Sequence, residues 1–408
     1  MAMLLLLKAW LDQRAPHARL VAVTIDHAMR AGSAAEAEGV ARFCLGRGIE
    51  HRTLAWRGGK PATGLIAAAR EARYRLLAEA ARDAGADLVV TGHTADDQAE
   101  TVAMRGLRGD GPGLAGMAPA TLYDGWLWIA RPLLGASRGD LRTYLSARGV
   151  GWAEDPTNDN RAFERARLRA AGANADPRAI EDAAVARTML AERTAVLVRR
   201  YASPSSPGLV RLDPAFATDS DREAALGMLR VLLAVVGGVE HLPARPRVAA
   251  LLERLQGSPV RATLSRAVVD ARRAGVFLHR EHRGLPAPVA AADGAIWDGR
   301  RRLIVDANGR ATVAPAGADF AAQAASPGDD TPESLARAAL AAEPALWRDG
   351  ACVGLPGAGN PVRAVPIMSP WARFMPVFDI AAAGAVAGLV GGAPIPPSPC
   401  KRHNGAKA

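Results

Sequence analysis

The stretch that decides the fold is Val89-Val90-Thr91-Gly92-His93-Thr94-Ala95-Asp96-Asp97-Gln98-Ala99-Glu100-Thr101. Leu88–Val90 predicts a short buried strand, which follows a helix that stops at Gly85. Thr94 is the predicted N-cap of the next helix, and Asp96 and Asp97 fall in its first turn. The segment therefore joins a strand end, a polar turn and an acid-rich helix start.

This helix start carries the first candidate site residues. Spacings of four, four and three residues place four side chains on one helix face: Asp97, Thr101, Arg105 and Arg108. Open α/β sheets bind ligands at the carboxyl ends of their strands, so Asp97 and His93 are candidate catalytic residues. The alternative is that Asp96 and Asp97 only complement the helix dipole.

Composition describes a basic, globular chain. At 408 residues two or three domains are expected, and 49% hydrophobic residues are enough for their cores. Lysine and arginine number 51 against 41 acids, which gives a net charge of +10. The planar guanidinium of arginine suits phosphate, so RNA is one interpretation of this charge and GC-rich coding bias is the other.

The cysteines and the apolar runs exclude other classes of protein. Cys44, Cys352 and Cys400 form no Cys-x-x-Cys pair, so neither a zinc ribbon nor a disulfide framework is indicated. No apolar run reaches the roughly 20 residues of a membrane-spanning helix, and the first residues lack a signal-peptide pattern. We expect a cytoplasmic protein.

Strands and helices alternate in the first third of the chain. The predicted strands are Leu20–Ile25, His51–Trp56, Leu88–Val90 and Trp126–Ala130. The predicted helices cover residues 1–13, a segment opened by the capping box Ser33-x-x-Glu36, and residues 64–84. The glycine-rich loop 108–117 is expected to be mobile. This alternation predicts an α/β fold with a doubly wound parallel sheet.

The remainder divides by pattern. We expect a catalytic domain at 1–170, a helical domain at 171–271, a small mixed region at 272–390 and an unstructured tail at 391–408. Within the helical domain, periodicity predicts helices at 179–201, 223–235 and 247–256. Short strands are expected at 276–278 and 302–305.

Six ordered motifs carry a family resemblance. They are Asp26-His27, the Arg70–Arg75 run, the Gly92–Thr101 run, Gly113-Leu114-Ala115-Gly116-Met117, Arg131-Pro132-Leu133-Leu134 and Trp152-Ala153-Glu154-Asp155-Pro156-Thr157-Asn158. With these motifs in order, the chain resembles the tRNA(Ile)-lysidine synthetases, ligases of the N-type ATP pyrophosphatase fold. The resemblance is dense over residues 1–170 and weak from about residue 285.

The resemblance implies a reaction. Members of the family use ATP and Mg²⁺ to adenylate O2 of the wobble cytidine in an isoleucine tRNA with a CAU anticodon. The ε-amino group of free lysine then attacks C2, which releases AMP and leaves lysidine. The protein's tasks are positioning and charge neutralisation. The implied partners are that tRNA and lysine, and a homodimer is one assembly that the resemblance allows.

The resemblance also implies site residues. The expected catalytic residues are Asp97, His93 and Arg73, with Asp97 also the magnesium ligand. Expected contacts to ATP are Asp26, His27, Gly92 and Arg70. Five arginines are expected to contact tRNA: Arg108, Arg131, Arg165, Arg167 and Arg169.

Each assignment has a structural alternative. Asp26 could cap a strand end, and Arg70 and Arg73 could be solvated helix cations. Tyr74 is interpreted as a core residue in preference to a base-stacking platform, and residues 165–169 could form an ordinary basic helix face. Rival functions are a tRNA thiolase, which its missing Cys-x-x-Cys pairs disfavour, and a non-catalytic tRNA-binding relic.

The chain departs from the family pattern at its phosphate loop. The family has an apolar strand followed by Ser-Gly-Gly-x-Asp-Ser, whose amides hold pyrophosphate. The sequence contains no such motif, and Arg57-Gly58-Gly59-Lys60 follows the wrong strand. Smaller departures are Ala28, where glycine is usual, and Ala166, where asparagine often occurs.

The missing strand is expected to be central, between Leu20–Ile25 and Leu88–Val90. Burying about five aliphatic side chains contributes roughly 8–15 kcal/mol, against a net domain stability of about 5–15 kcal/mol. We therefore expect a start codon further upstream, in preference to a shortened chain that has lost ATP chemistry. On that expectation the 408 residues alone show no turnover.

Overall fold

The computed structural model describes residues 1–28, 32–107, 111–153, 167–168, 175–257, 259–306, 311–328, 330–357 and 359–400. Contacts divide the chain into two compact units, which are described separately. The first is Met1–Ala184 together with the chain end from Pro397, and the second is Val185–Pro396. No helix in the described ranges has the length and apolarity needed to cross a bilayer.

The first unit alternates helices with short strands. In chain order they are α1 (Ala2–Arg14), β1 (Val21–Asp26), α2 (Ser33–Leu45), β2 (Glu50–Ala55), α3 (Leu65–Ala84), β3 (Leu88–Val90), α4 (Ala95–Gly106), β4 (Ala120–Tyr123), β5 (Leu127–Ala130) and α5 (Arg138–Ser146). A short 3₁₀ helix, Pro112–Ala115, follows α4. The α/β class is therefore confirmed.

The sheet of this unit is divided. β1 pairs with β2 in parallel, and β3 pairs with β5 in parallel, but the two pairs belong to separate sheets. On the edges where β1 and β3 would share a central neighbour, no described strand hydrogen-bonds to either of them. A single doubly wound sheet is thus not formed by these residues. The strand expected between them stays a prediction.

A hairpin joins β4 to β5 and was missed in the sequence. The strands pair antiparallel, and Asp124 and Gly125 between them both have positive φ, at 51° and 77°. Two such residues form the turn type that matches strand twist. The signal was present, because Asp-Gly between apolar residues is a strong hairpin pattern.

Helix starts were predicted with mixed success. Thr94 is the N-cap of α4, as predicted, and Asp97 completes a capping box with it. The predicted capping box at Ser33 is wrong, because Gly32 is the N-cap and Ser33 is the first residue of α2. The hydroxyl of Ser33 instead hydrogen-bonds Asp26 at the end of β1. A tertiary contact has taken the side chain that the local pattern assigned to the cap.

The second unit contains most of α6 (Pro177–Tyr201) and the remaining helices and strands. The helices are α7 (Arg222–Gly237), α8 (Arg245–Arg254), α9 (Gly317–Ala324), α10 (Glu333–Ala341) and α11 (Ile380–Val390). The strands are β6 (Ala202–Ser206), β7 (Leu209–Leu212), β8 (Arg261–Leu264), β9 (Ala267–Arg272), β10 (Gly275–Arg280), β11 (Val289–Ala290), β12 (Ile296–Trp297), β13 (Arg301–Val305), β14 (Thr312–Pro315), β15 (Pro344–Arg348), β16 (Ala351–Gly354), β17 (Val362–Pro366) and β18 (Phe374–Pro376). Three further 3₁₀ turns lie at Pro214–Thr218, Ser369–Trp371 and Val377–Asp379.

Antiparallel sheets dominate this unit. A five-stranded sheet has the order β6-β7-β10-β9-β8, and two smaller sheets have the orders β11-β14-β15-β16 and β12-β13-β17. The three predicted helices are present as α6, α7 and α8, but strands β6 to β9 lie inside the range expected to be helical. The unit boundary falls after Ala184, not after residue 170. β7 and β9 pair with β10, which ties the predicted helical and mixed regions into one unit.

A buried ionic cluster lies in the second unit. Asp298, whose side chain is 0% exposed, accepts hydrogen bonds from Arg280 and Arg300 at 2.8–3.1 Å, and also from Arg266. Arg300 and Arg301 in turn donate to Glu343. Buried charges are tolerated when they are paired and hydrogen-bonded, and this cluster meets that condition.

Candidate active site

The first part of the site lies where β3 passes into α4. The Oδ2 atom of Asp97 accepts hydrogen bonds from the Thr94 N–H at 2.8 Å and from the Thr94 hydroxyl at 2.9 Å. Its Oδ1 atom accepts a hydrogen bond from Nη2 of Arg138 at 2.8 Å. Burial opposes ionisation, but the Thr94 hydrogen bonds and the Arg138 charge outweigh it and lower the pKa of Asp97. Asp97 is thus a carboxylate at neutral pH.

Arg138 is a functional candidate that sequence reasoning missed. It is the first residue of α5, and its backbone N–H donates to Oδ2 of Asp96 at 2.8 Å. Its guanidinium also lies 3.5 Å from the buried Glu100. Three carboxylates of α4 therefore meet one arginine, which follows Arg131-Pro132-Leu133-Leu134 by four residues.

His93 is oriented by its neighbour in the same turn. Its Nδ1 atom lies 2.9 Å from the Thr91 hydroxyl, and that hydroxyl lies 3.3 Å from the Ala130 carbonyl. A hydroxyl that donates to Ala130 accepts from Nδ1–H, which leaves the lone pair of a neutral ring on Nε2. Next to it, Gly92 has room for a side chain, because an added Cβ meets Met3 Sδ only at 3.8 Å.

The second part of the site is the turn after β1. Oδ1 of Asp26 accepts a hydrogen bond from the Ala28 N–H at 2.7 Å. That bond, with others from Ser33 and the charge of Lys60, lowers the pKa of Asp26. Nζ of Lys60 donates to the Ala28 carbonyl at 2.6 Å. The Asp26 carboxylate therefore fixes the backbone of the turn through a hydrogen bond and also places a negative charge there.

Helix α3 brings basic side chains to this turn and packs against both β1 and β3. Nη2 of Arg73 lies 3.4 Å from Nε2 of His27. Burial first, and then the charge of Arg73, lower the pKa of His27, so its ring is neutral at pH 7. The guanidinium of Arg70 lies 4.9 Å from the ring centroid of Tyr74.

Tyr74 is a core residue, as predicted. It is buried, and its ring stacks on that of Tyr123 with centroids 5.8 Å apart. It therefore supports α3 on the hairpin and offers no open face to a base.

The glycine-rich loop is hydrogen-bonded to α4 where it is described, at residues 111–117. Gln98 exchanges two hydrogen bonds with the backbone of Met117, at 2.6 and 3.0 Å. Arg105 donates to the Gly116 carbonyl at 2.6 Å. Gly116 has φ +61°, and a Cβ there would lie 2.6 Å from Oε1 of Gln98, so this turn requires glycine.

The arginines expected to contact tRNA have different outcomes. Arg131 is only 6% exposed, and its Nη1 donates to the Ala118 carbonyl at 2.9 Å and the Thr121 hydroxyl at 3.0 Å. This placement contradicts the prediction that Arg131 contacts tRNA. Arg167 is exposed, as a tRNA contact would be. Arg108, Arg165 and Arg169 lie outside the described residues.

A metal site made by the protein alone is not evident. Among the residues described, no group of three or more His, Cys, Asp or Glu side chains is arranged to hold a metal ion. Mg²⁺ is commonly held by one or two carboxylates together with substrate phosphates. Asp97 fits that second arrangement, since it is an ionised carboxylate in the first turn of α4, the helix that follows β3.

Comparisons with known proteins decide the family. A family model described as a PP-loop domain matches residues 1–174. The tRNA(Ile)-lysidine synthase of Mesorhizobium japonicum is 54% identical over 421 residues, covering 99% of this chain and 92% of that one. The chain belongs to the tRNA(Ile)-lysidine synthase family. The same enzyme of Brucella suis is 38% identical over 418 residues, covering 96% of this chain and 92% of that one.

Family membership extends the motif-based resemblance. The alignment to the Mesorhizobium japonicum tRNA(Ile)-lysidine synthase runs through the residues after 285, where the motifs gave only a weak signal. A U34-tRNA thiolase from Methanococcus maripaludis resembles the structure with a TM-score of 0.36 and 16% identity, covering 45% of this chain and 65% of that one.

Proposed function

We propose that this chain forms lysidine in an isoleucine tRNA with a CAU anticodon. O2 of the wobble cytidine attacks the α-phosphate of ATP, and pyrophosphate leaves. The ε-amino nitrogen of lysine then attacks C2, the C2–O2 bond breaks, AMP departs with O2, and the nitrogen loses its extra proton. Adenylation makes a poor leaving oxygen into a good one.

Residues around the turn after β1 are proposed to hold ATP. Asp26, His27, Gly92 and Arg70 are the proposed contacts, because they lie at the ends of β1 and β3 and on the helix that packs against both. Arg73 is proposed to stabilise the negative charge that develops on phosphate. Its position beside His27 supports this assignment.

The residues at the start of α4 are proposed to carry out the chemistry. Asp97 would hold Mg²⁺, and the ion would neutralise phosphate charge when bound. Nε2 of His93 is proposed to take the proton from the lysine ammonium, since the Thr91 hydroxyl directs the ring proton to Nδ1. The surplus of carboxylates around Arg138 suits a site that receives the cationic side chain of lysine.

Arginines of the 165–169 segment and Arg108 are proposed to contact tRNA. The exposed position of Arg167 supports this proposal, and phosphate contacts of this kind position an RNA without reading its sequence.

One observation carries the proposal. An ionised carboxylate, Asp97, lies in the first turn of α4, the helix that follows β3, in a chain that is 54% identical to a tRNA(Ile)-lysidine synthase over 99% of its length.

The test measures AMP released from ATP labelled at the α-phosphate. We expect AMP only when lysine and the CAU tRNA are both present, and no AMP with the same tRNA carrying uridine at the wobble position. The assay is run on the 408-residue chain and on a form of it that is extended at its N-terminus. AMP formation that ignores lysine contradicts the proposal. Retention of tRNA without AMP in both forms supports the relic.

A further inference from the structure

The turn after β1 holds an alanine in an unfavourable conformation. Ala28 has φ +48°, in the left-handed region. The other non-glycine residues with positive φ in the described part of the chain are aspartate, serine or arginine. Alanine has no side-chain group that could compensate locally, so contacts from elsewhere must hold the turn.

Those contacts come from one short segment, Trp56–Lys60. The Trp56 N–H donates to the Asp26 carbonyl at 2.8 Å. The rings of Trp56 and His27 meet edge to face with centroids 6.1 Å apart. Nζ of Lys60 donates to the Ala28 carbonyl at 2.6 Å and lies 5.5 Å from the Trp56 ring centroid.

We propose that Lys60 is a positioning residue, which locks the Asp26-His27-Ala28 turn so that Asp26 and His27 face ATP. The proposal rests on the proposed function for the role of the turn, and on the geometry alone for the lock. Asp26 fixes the amide of Ala28, and Lys60 fixes its carbonyl. Both ends of the strained residue are thereby held.

The expected effect of removing Lys60 follows from two contributions, the backbone strain at Ala28 and the hydrogen bond from Lys60. The steric cost of the left-handed conformation lowers its population for an alanine by about fivefold to thirtyfold. A hydrogen bond from a charged donor offsets roughly tenfold or more of that. Without Lys60, the turn should therefore open about ten times more often.

Hydrogen exchange of the Ala28 amide tests the lock. We expect Lys60→Met to speed this exchange by about tenfold. Arg57→Met is the matched control, because it removes a positive charge from the same exposed loop, and it should leave the exchange unchanged. Adding Ala28→Gly to Lys60→Met should restore slow exchange, since glycine adopts positive φ without strain.

Affinity for a non-hydrolysable ATP analogue tests the consequence. Lys60→Met should weaken binding by about tenfold, and the double variant Lys60→Met/Ala28→Gly should recover it. Equal exchange in the Lys60→Met and Arg57→Met variants would overturn the lock. Faster exchange with unchanged analogue affinity would uphold the lock and overturn the assignment of this turn to ATP.

Discussion

The two units of this chain each contain a cluster of arginines and carboxylates, and the clusters differ in burial and in balance. In the first unit, three carboxylates of α4 meet Arg138, whose side chain is 32% exposed. In the second unit, four arginines surround Asp298 and Glu343, and the side chains of Arg280 and Asp298 are fully buried.

We interpret the first cluster as part of the proposed active site and the second as a structural cluster that stabilises its unit. A buried cluster must satisfy its charges internally, because water cannot do so. The Asp298 cluster does this, and Arg280 and Arg300 also donate to backbone carbonyls. A part-exposed cluster rich in carboxylates leaves room for an incoming cation. We expect mutations in the second unit to reduce stability and mutations in the first to reduce activity.

The largest effect is expected at Asp298. Asp298→Asn keeps the shape but removes the charge shared by Arg280 and Arg300, which leaves buried guanidiniums uncompensated. We expect a loss of about 3–5 kcal/mol in the free energy of unfolding, measured with urea. Glu333→Gln is the control, since it breaks only an exposed pair with Arg337 and should cost less than about 0.5 kcal/mol. Similar losses in both variants would remove the distinction between the clusters.

The next effect is expected at Asp97. In a form of the chain that releases AMP, Asp97→Asn should lower that release by about 100-fold and cost about 1 kcal/mol of stability through the weakened cap. Asp140 is a matched control, because it forms the same capping box with Ser137 at the start of α5. Asp140→Asn should weaken its cap in the same way and keep its activity. Equal activity in the two variants would reduce Asp97 to a capping residue.

Arg131 and Arg167 provide a third contrast. Arg131→Met should lower stability by about 1–3 kcal/mol, because it leaves the Ala118 carbonyl and Thr121 without their donor. Arg167→Ala should leave stability unchanged and reduce the salt dependence of tRNA binding by about one ion. Filter binding across a salt series measures the second effect. A reduced slope for Arg131→Met without loss of stability would restore its assignment to tRNA.

The smallest effect concerns pH. Burial lowers the pKa of His279 below its usual 6.5, which the hydrogen bond to the Arg280 carbonyl does not offset. The unfolded chain therefore binds the proton more readily than the folded chain. The contribution of His279 to stability is complete above about pH 6.5 and is lost as the pH falls through its lower folded pKa. We would measure urea unfolding at one pH above 6.5 and one well below it. The loss in the free energy of unfolding between the two should be smaller in His279→Gln than in the parent chain.

Sequence patterns predicted the features that depend on neighbouring residues alone. The strand Leu88–Val90, the N-cap Thr94 and the burial of Tyr74 followed from periodicity and capping rules, and the structure confirms them. The predicted burial of that strand is wrong, because Leu88 is 41% exposed and neither valine is fully buried. The family resemblance also predicted the Asp26 turn and the arginines of α3 as parts of one site, and Arg73 lies 3.4 Å from His27 of that turn.

Long-range contacts defeated the same reasoning. Ser33 was assigned to a cap but bonds Asp26, and Arg131 was assigned to a surface but lies buried against Ala118. Arg138 was missed because its partners are 41 and 42 residues away in sequence. A local window contains no information on such pairings, which only the packed α4 and α5 create.

The sharing of Asp298 between several arginines also restricts how this chain can diverge. Loss of Asp298 leaves the buried guanidiniums of Arg280 and Arg300 uncompensated, so we expect single replacements of Asp298 to be selected against. A lineage could exchange the cluster for apolar packing only through coordinated changes at several distant positions. These residues should therefore drift more slowly than the exposed pairs around them.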